Sequence, residues 1–210
     1  MTEILPDTAH LITTEEDLEA VYGEPVEAAL IKEIARLNAP YRRMIESAPF
    51  VAVASAGPGG LDCTPRGDPA PVVHFEDDRT LLLPDRRGNN RIDTLRNLVR
   101  DDRIALLFLI PGVGNTLRVN GRAAISIEPS LLERFKMQGK APRSVIIVRV
   151  ESVYFQCVKA LHRSRLWDPS AWPDISALPS AGDMLKATDE SFDAAAYDAA
   201  YPDRLKRTIY

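Results

Sequence analysis

The sequence has few of the residues that build disulfide frameworks and metal sites: two cysteines and three histidines among 210 residues. Cys63 and Cys157 lie far apart and outside any C-x-x-C pattern, so we expect both thiols to be reduced and structural. His10, His74 and His162 have no metal-ligand spacing. The sequence therefore predicts no metal site, and it favours structural over catalytic roles for His74 and His162.

Long apolar runs and an excess of basic residues are also missing. No apolar run approaches the roughly 18 residues of a membrane-spanning helix, so no membrane contact is predicted. The net charge of −4 argues against a protein that binds nucleic acid over a basic surface, although it leaves room for a local basic pocket. The acidic N-terminal stretch MTEILPDTAHLITTEEDLEA lacks the pattern of a signal peptide, which favours a cytoplasmic location.

Apolar residues make up 45% of the chain, which is enough for a packed core. Residues 14–49 have a helical pattern. TTEEDLEAVYG begins with a threonine cap and an acidic first turn, and Gly23 can end it. VEAALIKEIARLNAPYRRMIESA continues the helical periodicity, with a break predicted near Ala39-Pro40.

From Phe50 the hydrophobic pattern changes to short β runs. FVAVASA, APVVHF, TLLLP, IALLFLI, TLRVNGRAAISI and SVIIVRVESVYFQC are typical of strands, and GPGG is typical of a turn. We predict six or seven strands between residues 50 and 157, interrupted by helices at about Asn90–Arg100 and from Pro129 to Gly139. Mainly antiparallel strands with few helices indicate an α+β fold built on a barrel or a sandwich. A further helix, QCVKALHRSRLW, precedes a tail rich in proline and alanine.

The stretch LLLPDRRGNNRIDTLRNL concentrates hydrogen-bond donors at one turn. Pro84 ends a strand, Gly88 frees the backbone, and Asn89 or Asn90 can cap the next helix, with Asp93 placed as in a capping box. Three arginines surround this helix start: Arg86, Arg87 and Arg91. Guanidinium groups beside a helix N-terminus form a phosphate site, whereas the alternative is a solvated loop. Of Arg86 and Arg87, we favour Arg87 as a phosphate-binding residue, because it is nearer the start of the helix. We interpret Arg86 as a surface residue.

Three other polar stretches admit two interpretations each. DCTPRGDPAPVV precedes a strand and is either a ligand-facing segment or an ordinary hairpin. In GNTLRVNGRAAI, Arg118 and Arg122 share one strand face and are either solvated or ligand-binding. In KALHRSRLWD, helical spacing places Arg163 and Trp167 on one face, where the indole can stack on a flat ring or pack as partly buried core.

Together and in this order, CTPRGDPAPVVHF, LLLPDRRGNNRIDTLRNL, IALLFLIPGVGNTLRVNGRA and CVKALHRSRLW resemble an FMN-binding subfamily related to pyridoxamine 5'-phosphate oxidase. The resemblance implies a split β-barrel and a homodimer with FMN in a cleft at the subunit interface. The expected regions are an N-terminal helical cap at residues 1–49, the FMN-binding barrel at residues 50–168, and a C-terminal extension at residues 169–210. The extension is expected to pack on the barrel or on the partner subunit.

The resemblance also assigns roles. Residues 64–68 match the strand whose backbone faces the flavin ring. Residues 84–85 match the segment that runs along the edge of that ring. Residues 89–91 match the phosphate-binding segment. Arg118 matches a strand that approaches from the partner subunit, and residues 163–167 match the segment that closes the cleft. The candidate cofactor-binding residues are therefore Thr64, Pro65, Arg66, Gly67, Asp68, Pro84, Asp85, Arg87, Gly88, Asn89, Asn90, Arg91, Arg118, Arg163 and Trp167.

The implied activity is that of an oxidoreductase that uses FMN for hydride transfer with a small molecule, with NADH or NADPH as a candidate donor. Arg66 or Arg118 could stabilise the anionic reduced flavin. The arginine and histidine that hold pyridoxal phosphate in the oxidase have no match in HRSRLWDPSAW, so that specific oxidation is not expected. Two alternatives stay open: a non-catalytic flavin-binding or sensing module, and the same fold with F420 or haem.

Overall fold

The computed structural model describes residues 10–210, so residues 1–9 of the predicted N-terminal cap lie outside the described residues. The chain forms two compact units, one up to Glu33 and one from Ile34 to Tyr210. Within the described residues no helix is long and apolar enough to cross a bilayer. The three regions expected from the sequence stay a prediction.

The first unit contains two helices, α1 (Glu15–Tyr22) and α2 (Glu27–Ile31). The Thr14 hydroxyl accepts a hydrogen bond from the backbone N–H of Asp17 at 3.1 Å. Gly23 ends α1 with a φ of 65°, a conformation that glycine adopts without steric cost. The predicted threonine cap and glycine stop are therefore confirmed.

The second unit is built on one seven-stranded sheet in which every pairing is antiparallel, in the order β2-β1-β5-β6-β7-β4-β3. The strands are β1 (Phe50–Gly57), β2 (Gly60–Gly67), β3 (His74–Phe75), β4 (Thr80–Asp85), β5 (Arg103–Leu109), β6 (Thr116–Ser126) and β7 (Ser144–Gln156). This sheet confirms the predicted α+β split barrel with six or seven mainly antiparallel strands. The β2 strand lies at one edge of the sheet.

Helices connect the strands and follow them. They are α3 (Ala39–Glu46), α4 (Asp93–Arg100), α5 (Pro129–Arg134), α6 (Lys159–Ser164), α7 (Ala181–Thr188), α8 (Ala194–Ala199) and α9 (Tyr201–Thr208), with two short 3-10 helices, Pro169–Ala171 and Ile175–Ala177. Alternate residues of each strand point to the same face of the sheet, and the hydrophobic core packs against the face that carries the apolar side chains. Val51, Val53, Leu106 and Phe108 are fully or almost fully buried, and Ile45 of α3 packs with them.

The region between α2 and α3 differs from the predicted helix. Ile34 pairs with Val153 of β7 through two backbone hydrogen bonds of 3.1 and 2.8 Å, so the chain is extended there. The Asn38 side chain then caps α3, with Pro40 in its first turn. Ala39-Pro40 therefore begins a helix rather than breaking one, because proline fits the first turn, where no N–H partner is needed.

Two other boundaries are shorter than predicted. In APVVHF only His74 and Phe75 pair as a strand, and Pro71 at the start of this segment lacks the N–H that a ladder requires. The helix that begins at Pro129 ends at Arg134 and not at Gly139. Gly139 instead occupies a tight turn with a φ of 77°, closed by backbone hydrogen bonds between Met137 and Lys140.

Helix α4 is fixed against the β1–β2 hairpin by polar contacts. The Thr94 hydroxyl donates to Asp62 of β2 at 2.6 Å, and the Asn97 amide donates to the Ser55 hydroxyl of β1 at 3.2 Å. A Cβ atom at Gly57 would collide with the Asn97 amide, so a larger residue there would displace the Asn97 side chain. The contacts place the start of α4 beside the outer strand β2.

Candidate functional site

A cleft of about 820 Å³ opens beside β2, the end of β4, the turn before α4 and the start of β7. This volume lies in the range of small-molecule and cofactor sites. Every candidate residue from the sequence lines the cleft except Arg118, Arg163 and Trp167. The fold thus brings together two segments that are separate in the sequence, residues 64–68 and residues 84–91.

The donor-rich turn has an unusual backbone. Asn90 and Ile92 adopt left-handed φ values of 63° and 55°. Neither asparagine caps α4: the Asn89 side chain accepts from the backbone N–H of Arg91 at 3.1 Å, and the Asn90 side chain accepts from Arg143 at 2.9 Å. The predicted capping box is therefore wrong. The N-cap position is Ile92, whose side chain cannot accept a hydrogen bond, so the N-cap residue does not occupy the N–H groups that open α4.

Arg91 projects from this turn into solvent, with 75% of its side chain exposed. Its guanidinium donates to the Asp93 carboxylate at 2.8 Å, and this hydrogen bond raises the pKa of Arg91. Because the contact is exposed and local, the guanidinium can turn to an anion in the cleft at little cost.

Arg86 is not the surface residue that the sequence suggested. Its guanidinium pairs with Asp68 at 2.7 Å, and the two side chains are only 15% and 7% exposed. Arg86 also donates to the carbonyl oxygen of Phe135, and the hydroxyl of Tyr210 donates to the second Asp68 oxygen at 2.8 Å. Arg86 therefore joins β2 to β4 at the cleft wall, whereas Arg87 is the exposed member of the pair.

A second arginine–aspartate contact lies on the same wall. Arg66 donates to the Thr64 hydroxyl at 2.9 Å and to the Pro65 carbonyl at 3.0 Å, and it approaches Asp85 at 3.7 Å. Burial raises the pKa of the Asp85 carboxyl, while Arg66 and Arg143 oppose that rise. This wall thus places the Arg66 cation near the Asp85 carboxyl group, which retains its proton to a higher pH than a solvated aspartate.

Ser144 supplies a hydroxyl group with which no described residue forms a hydrogen bond. It begins β7, opposite Asp85 in the β4–β7 register, and lines the cleft. The residue is 6% exposed, and its Oγ has no hydrogen-bond partner among the described residues. A buried hydroxyl without a partner is costly, so a polar ligand in the cleft is the natural partner.

The three remaining candidate residues lie away from this cleft. Arg118 is exposed on β6, where it donates to the Tyr154 hydroxyl at 2.9 Å, and the predicted shared face with Arg122 is confirmed. Arg163 and Trp167 line a separate open cavity. They do not share a helix face, because α6 ends at Ser164. The Trp167 indole instead donates to the carbonyl oxygen of residue 113 at 3.0 Å.

Several residues near the cleft were missed or misjudged from the sequence. Arg143, Ser144 and Tyr210 line the cleft although no motif marked them. Both cysteines are free and exposed, and Cys63 lines the cleft. Nothing in the local sequence signals these residues, since the sheet brings them together from distant positions.

His74 packs 4.8 Å from the ring of Phe135, in keeping with the structural role favoured for it. Its burial lowers the pKa of the imidazole, and the charges of Arg134 and Arg86 lower it further. His162 is exposed in the last turn of α6 and lines the separate cavity near Trp167. Neither imidazole lines the main cleft.

Comparison with known proteins gives one strong match. A family model described as pyridoxamine 5'-phosphate oxidase matches residues 37–157, which contain all seven strands and the donor-rich turn. Comparison with curated proteins finds no match.

Solved structures give only distant likenesses. HupZ of Group A Streptococcus is 19% identical, with a TM-score of 0.46 over 56% of this chain and 91% of that chain. A Clostridium acetobutylicum protein related to general stress protein 26 of B. subtilis, of the pyridoxinephosphate oxidase family, is 15% identical, with a TM-score of 0.45 over 56% and 86%. An F420 reductase is 17% identical, with a TM-score of 0.43 over 56% and 98%. TM-scores this low do not support any inference about function.

Proposed function

Because the chain belongs to the pyridoxamine 5'-phosphate oxidase family, with the split-barrel fold of flavin-binding oxidoreductases, we propose that its cleft binds FMN. We propose further that the protein is an oxidoreductase that uses FMN for hydride transfer with a small molecule. The observation that carries the proposal is the cleft itself, which is lined by β2, the end of β4, the donor-rich turn and the Ser144 hydroxyl, a buried group without a partner among the described residues.

The phosphate of FMN fits the turn before α4. Among the described residues no side chain caps this helix, so its first backbone N–H groups are available to an anion. Arg91 is exposed and pairs only locally, and Arg87 has no ion-pair partner among the described residues. Backbone N–H groups combined with guanidinium groups bind phosphate well, because both are directional donors.

The flat ring of FMN fits the β2 side of the cleft. Since β2 is an edge strand, the backbone groups on its outer side are not paired within the sheet and can bond to the ring's polar edge. Arg66 would stabilise negative charge on the reduced ring, and the Ser144 hydroxyl would supply one more hydrogen bond. FMN supplies the hydride chemistry; these residues bind and orient it.

A homodimer is part of this proposal. Arg118, Arg163 and Trp167 do not line the cleft of their own chain, and the first two are exposed. In the proposed dimer, the partner subunit contributes these residues and completes the site. Light scattering on the purified protein should give the mass of two chains; the mass of a single chain would contradict this part of the proposal.

Titration with FMN and with riboflavin tests the cofactor. We expect FMN to bind more tightly than riboflavin, because riboflavin lacks the phosphate that the turn before α4 holds. A protein that binds neither flavin would overturn the proposal. Mass spectrometry of any cofactor released from freshly purified protein separates FMN from F420 and haem.

A second measurement separates an enzyme from a flavin-binding module. NADH or NADPH, added without oxygen to the FMN-loaded protein, should bleach the flavin absorbance within seconds to minutes, and air should restore it. If neither donor nor a panel of small reductants bleaches it, the non-catalytic alternative is favoured.

A further inference from the structure

A smaller cavity of about 150 Å³, which we call the side cavity, adjoins the cleft. Four residues line both cavities and form the boundary between them: Arg86, Arg87, Arg143 and Tyr210. Arg87 belongs to the turn before α4, and Arg143 donates to Asn90 of that turn at 2.9 Å. The side cavity therefore lies next to the turn that is proposed to hold the FMN phosphate.

Tyr210 is anchored on both sides of this boundary. Its hydroxyl donates at 2.8 Å to Asp68, which lines the cleft but not the side cavity. Its backbone oxygen accepts at 2.8 Å from Lys140, which lines the side cavity but not the cleft. The residue thus reaches from the wall of the cleft to the side cavity.

The phenol ring of Tyr210 is a fixed part of the boundary. The guanidinium carbon of Arg86 lies 5.7 Å from the ring centroid, within the range of a cation–π contact, and Arg86 is itself held by Asp68 at 2.7 Å. Tyr210 is partly buried, whereas Arg87 and Arg143 are exposed at the same boundary. An exposed arginine can turn aside for a ligand at little cost, but the ring is held by its neighbours.

Building on the proposed function, we propose that Tyr210 is a specificity-determining residue that ends the cleft beyond the FMN phosphate. It selects FMN over flavins that continue past that phosphate. FAD is such a flavin, because it carries an adenylate group on the phosphate of FMN. With the phenol ring in place the adenylate collides with it, whereas without the ring the side cavity joins the cleft and leaves room. Specificity of this kind comes from a clash with the wrong ligand and not from extra contacts to the right one.

Two substitutions at position 210 separate the ring from its hydroxyl. Tyr210→Ala removes the ring and opens the boundary, while Tyr210→Phe keeps the ring and loses only the hydrogen bond to Asp68. Tyr201→Ala is the matched control, since it makes the same change in the same C-terminal region. Tyr201 is 45% exposed and lines neither cavity.

Fluorescence titration of each variant with FMN and with FAD gives the ratio of the two dissociation constants. A variant that is partly unfolded weakens both apparent affinities by the same factor, so the ratio reports the site alone. We expect Tyr210→Ala to lower the ratio of the FAD constant to the FMN constant about tenfold relative to the wild type. Tyr210→Phe and Tyr201→Ala should leave it unchanged. FAD also differs from FMN in the charge on its phosphate, so the diagnostic quantity is the change in the ratio between variants.

Four results would overturn the role of Tyr210. They are a wild type that binds FAD as tightly as FMN, an unchanged ratio in Tyr210→Ala, an equal fall in Tyr210→Phe, and an equal fall in Tyr201→Ala. The third would assign the selection to the hydroxyl, and the fourth would assign it to general loosening of the C-terminal helices. Failure of the wild type to bind either flavin would instead overturn the proposed function on which this inference rests.

Discussion

The Tyr210 hydroxyl donates a hydrogen bond to Asp68 at 2.8 Å, although the two residues are 142 positions apart in the sequence. This contact ties the C-terminal segment to the wall of the candidate flavin cleft. The same carboxylate accepts from Arg86, so one buried aspartate holds together β2, β4 and the segment that follows α9.

Tyr210→Phe should weaken this attachment but leave the Arg86–Asp68 pair of the cleft wall in place. We expect the free energy of unfolding to fall by about 1 kcal/mol, the usual contribution of a single hydrogen bond, since Arg86 still satisfies Asp68. Urea unfolding of the variant and of Tyr201→Phe measures the effect; the Tyr201 hydroxyl makes no hydrogen bond to a described residue. An equal loss in both variants would show that the hydroxyl at 210 has no special role.

Arg86→Ala should destabilise the fold more strongly. It leaves Asp68, whose side chain is 7% exposed, without its cation, and an uncompensated buried charge costs about 3 kcal/mol. Arg87→Ala is the adjacent control and should change the free energy of unfolding little, because Arg87 is exposed. Denaturant titration at neutral pH compares them, and similar stabilities would refute the structural role of Arg86.

Arg91→Ala should weaken FMN binding by about 1.5–3 kcal/mol, the loss of one charge-assisted contact to phosphate. Arg100 lies at the other end of α4 and does not line the cleft, so Arg100→Ala is the matched control and should change the affinity little. Fluorescence titration with FMN measures both. Equal effects would show that the phosphate lies elsewhere.

The raised pKa of Asp85 predicts how the free energy of unfolding changes with pH. Its folded-state pKa is raised by burial, so the stability linked to its protonated form is complete below the ordinary value of 3.8 and is lost as the pH rises through the folded-state pKa. Asp85→Asn mimics the protonated form. We therefore expect the variant to gain stability relative to the wild type as the pH rises from about 4 towards neutrality, as followed by urea midpoints.

Asp101 provides a control, because its pKa is shifted in the opposite direction to that of Asp85. The hydrogen bond from Arg103 lowers the pKa of Asp101 to about 2, so its contribution to stability is present above the ordinary value of 3.8 and is lost as the pH falls towards 2. Asp101→Asn should therefore differ from the wild type less at pH 2 than at pH 5. If the Asp85 and Asp101 variants drift in the same direction, burial does not govern Asp85.

The sequence predicted the sheet well, because strand periodicity is local. The short apolar runs FVAVASA and IALLFLI became β1 and β5, in which alternate residues are buried. Helix boundaries were less accurate where tertiary contacts compete with local preference. Residues around Ile34 have helical periodicity but pair instead with Val153, a contact that no local pattern reveals.

The candidate site was predicted in outline. The order of CTPRGD and PDRRGNNR indicated that both segments face one ligand, and both line the cleft. The sequence favoured Arg87 over Arg86 but could not show that Arg86 is buried, because that burial depends on Asp68, which comes close to Arg86 only in the folded sheet. The asparagine cap failed for a similar reason: Arg143, from the start of β7, claims the Asn90 side chain.

The length of strand β7 separates the cleft from the region around α6. The strand runs for 13 residues, from Ser144 at the cleft to Gln156, just before α6. At about 3.3 Å per residue, an extended strand of this length spans roughly 40 Å, which is longer than one flavin. If Arg163 or Trp167 contacts a flavin in the cleft, that contact is therefore made in trans, and a mixture of two variants, each defective in a different one of these regions, should recover part of the binding that each lacks alone.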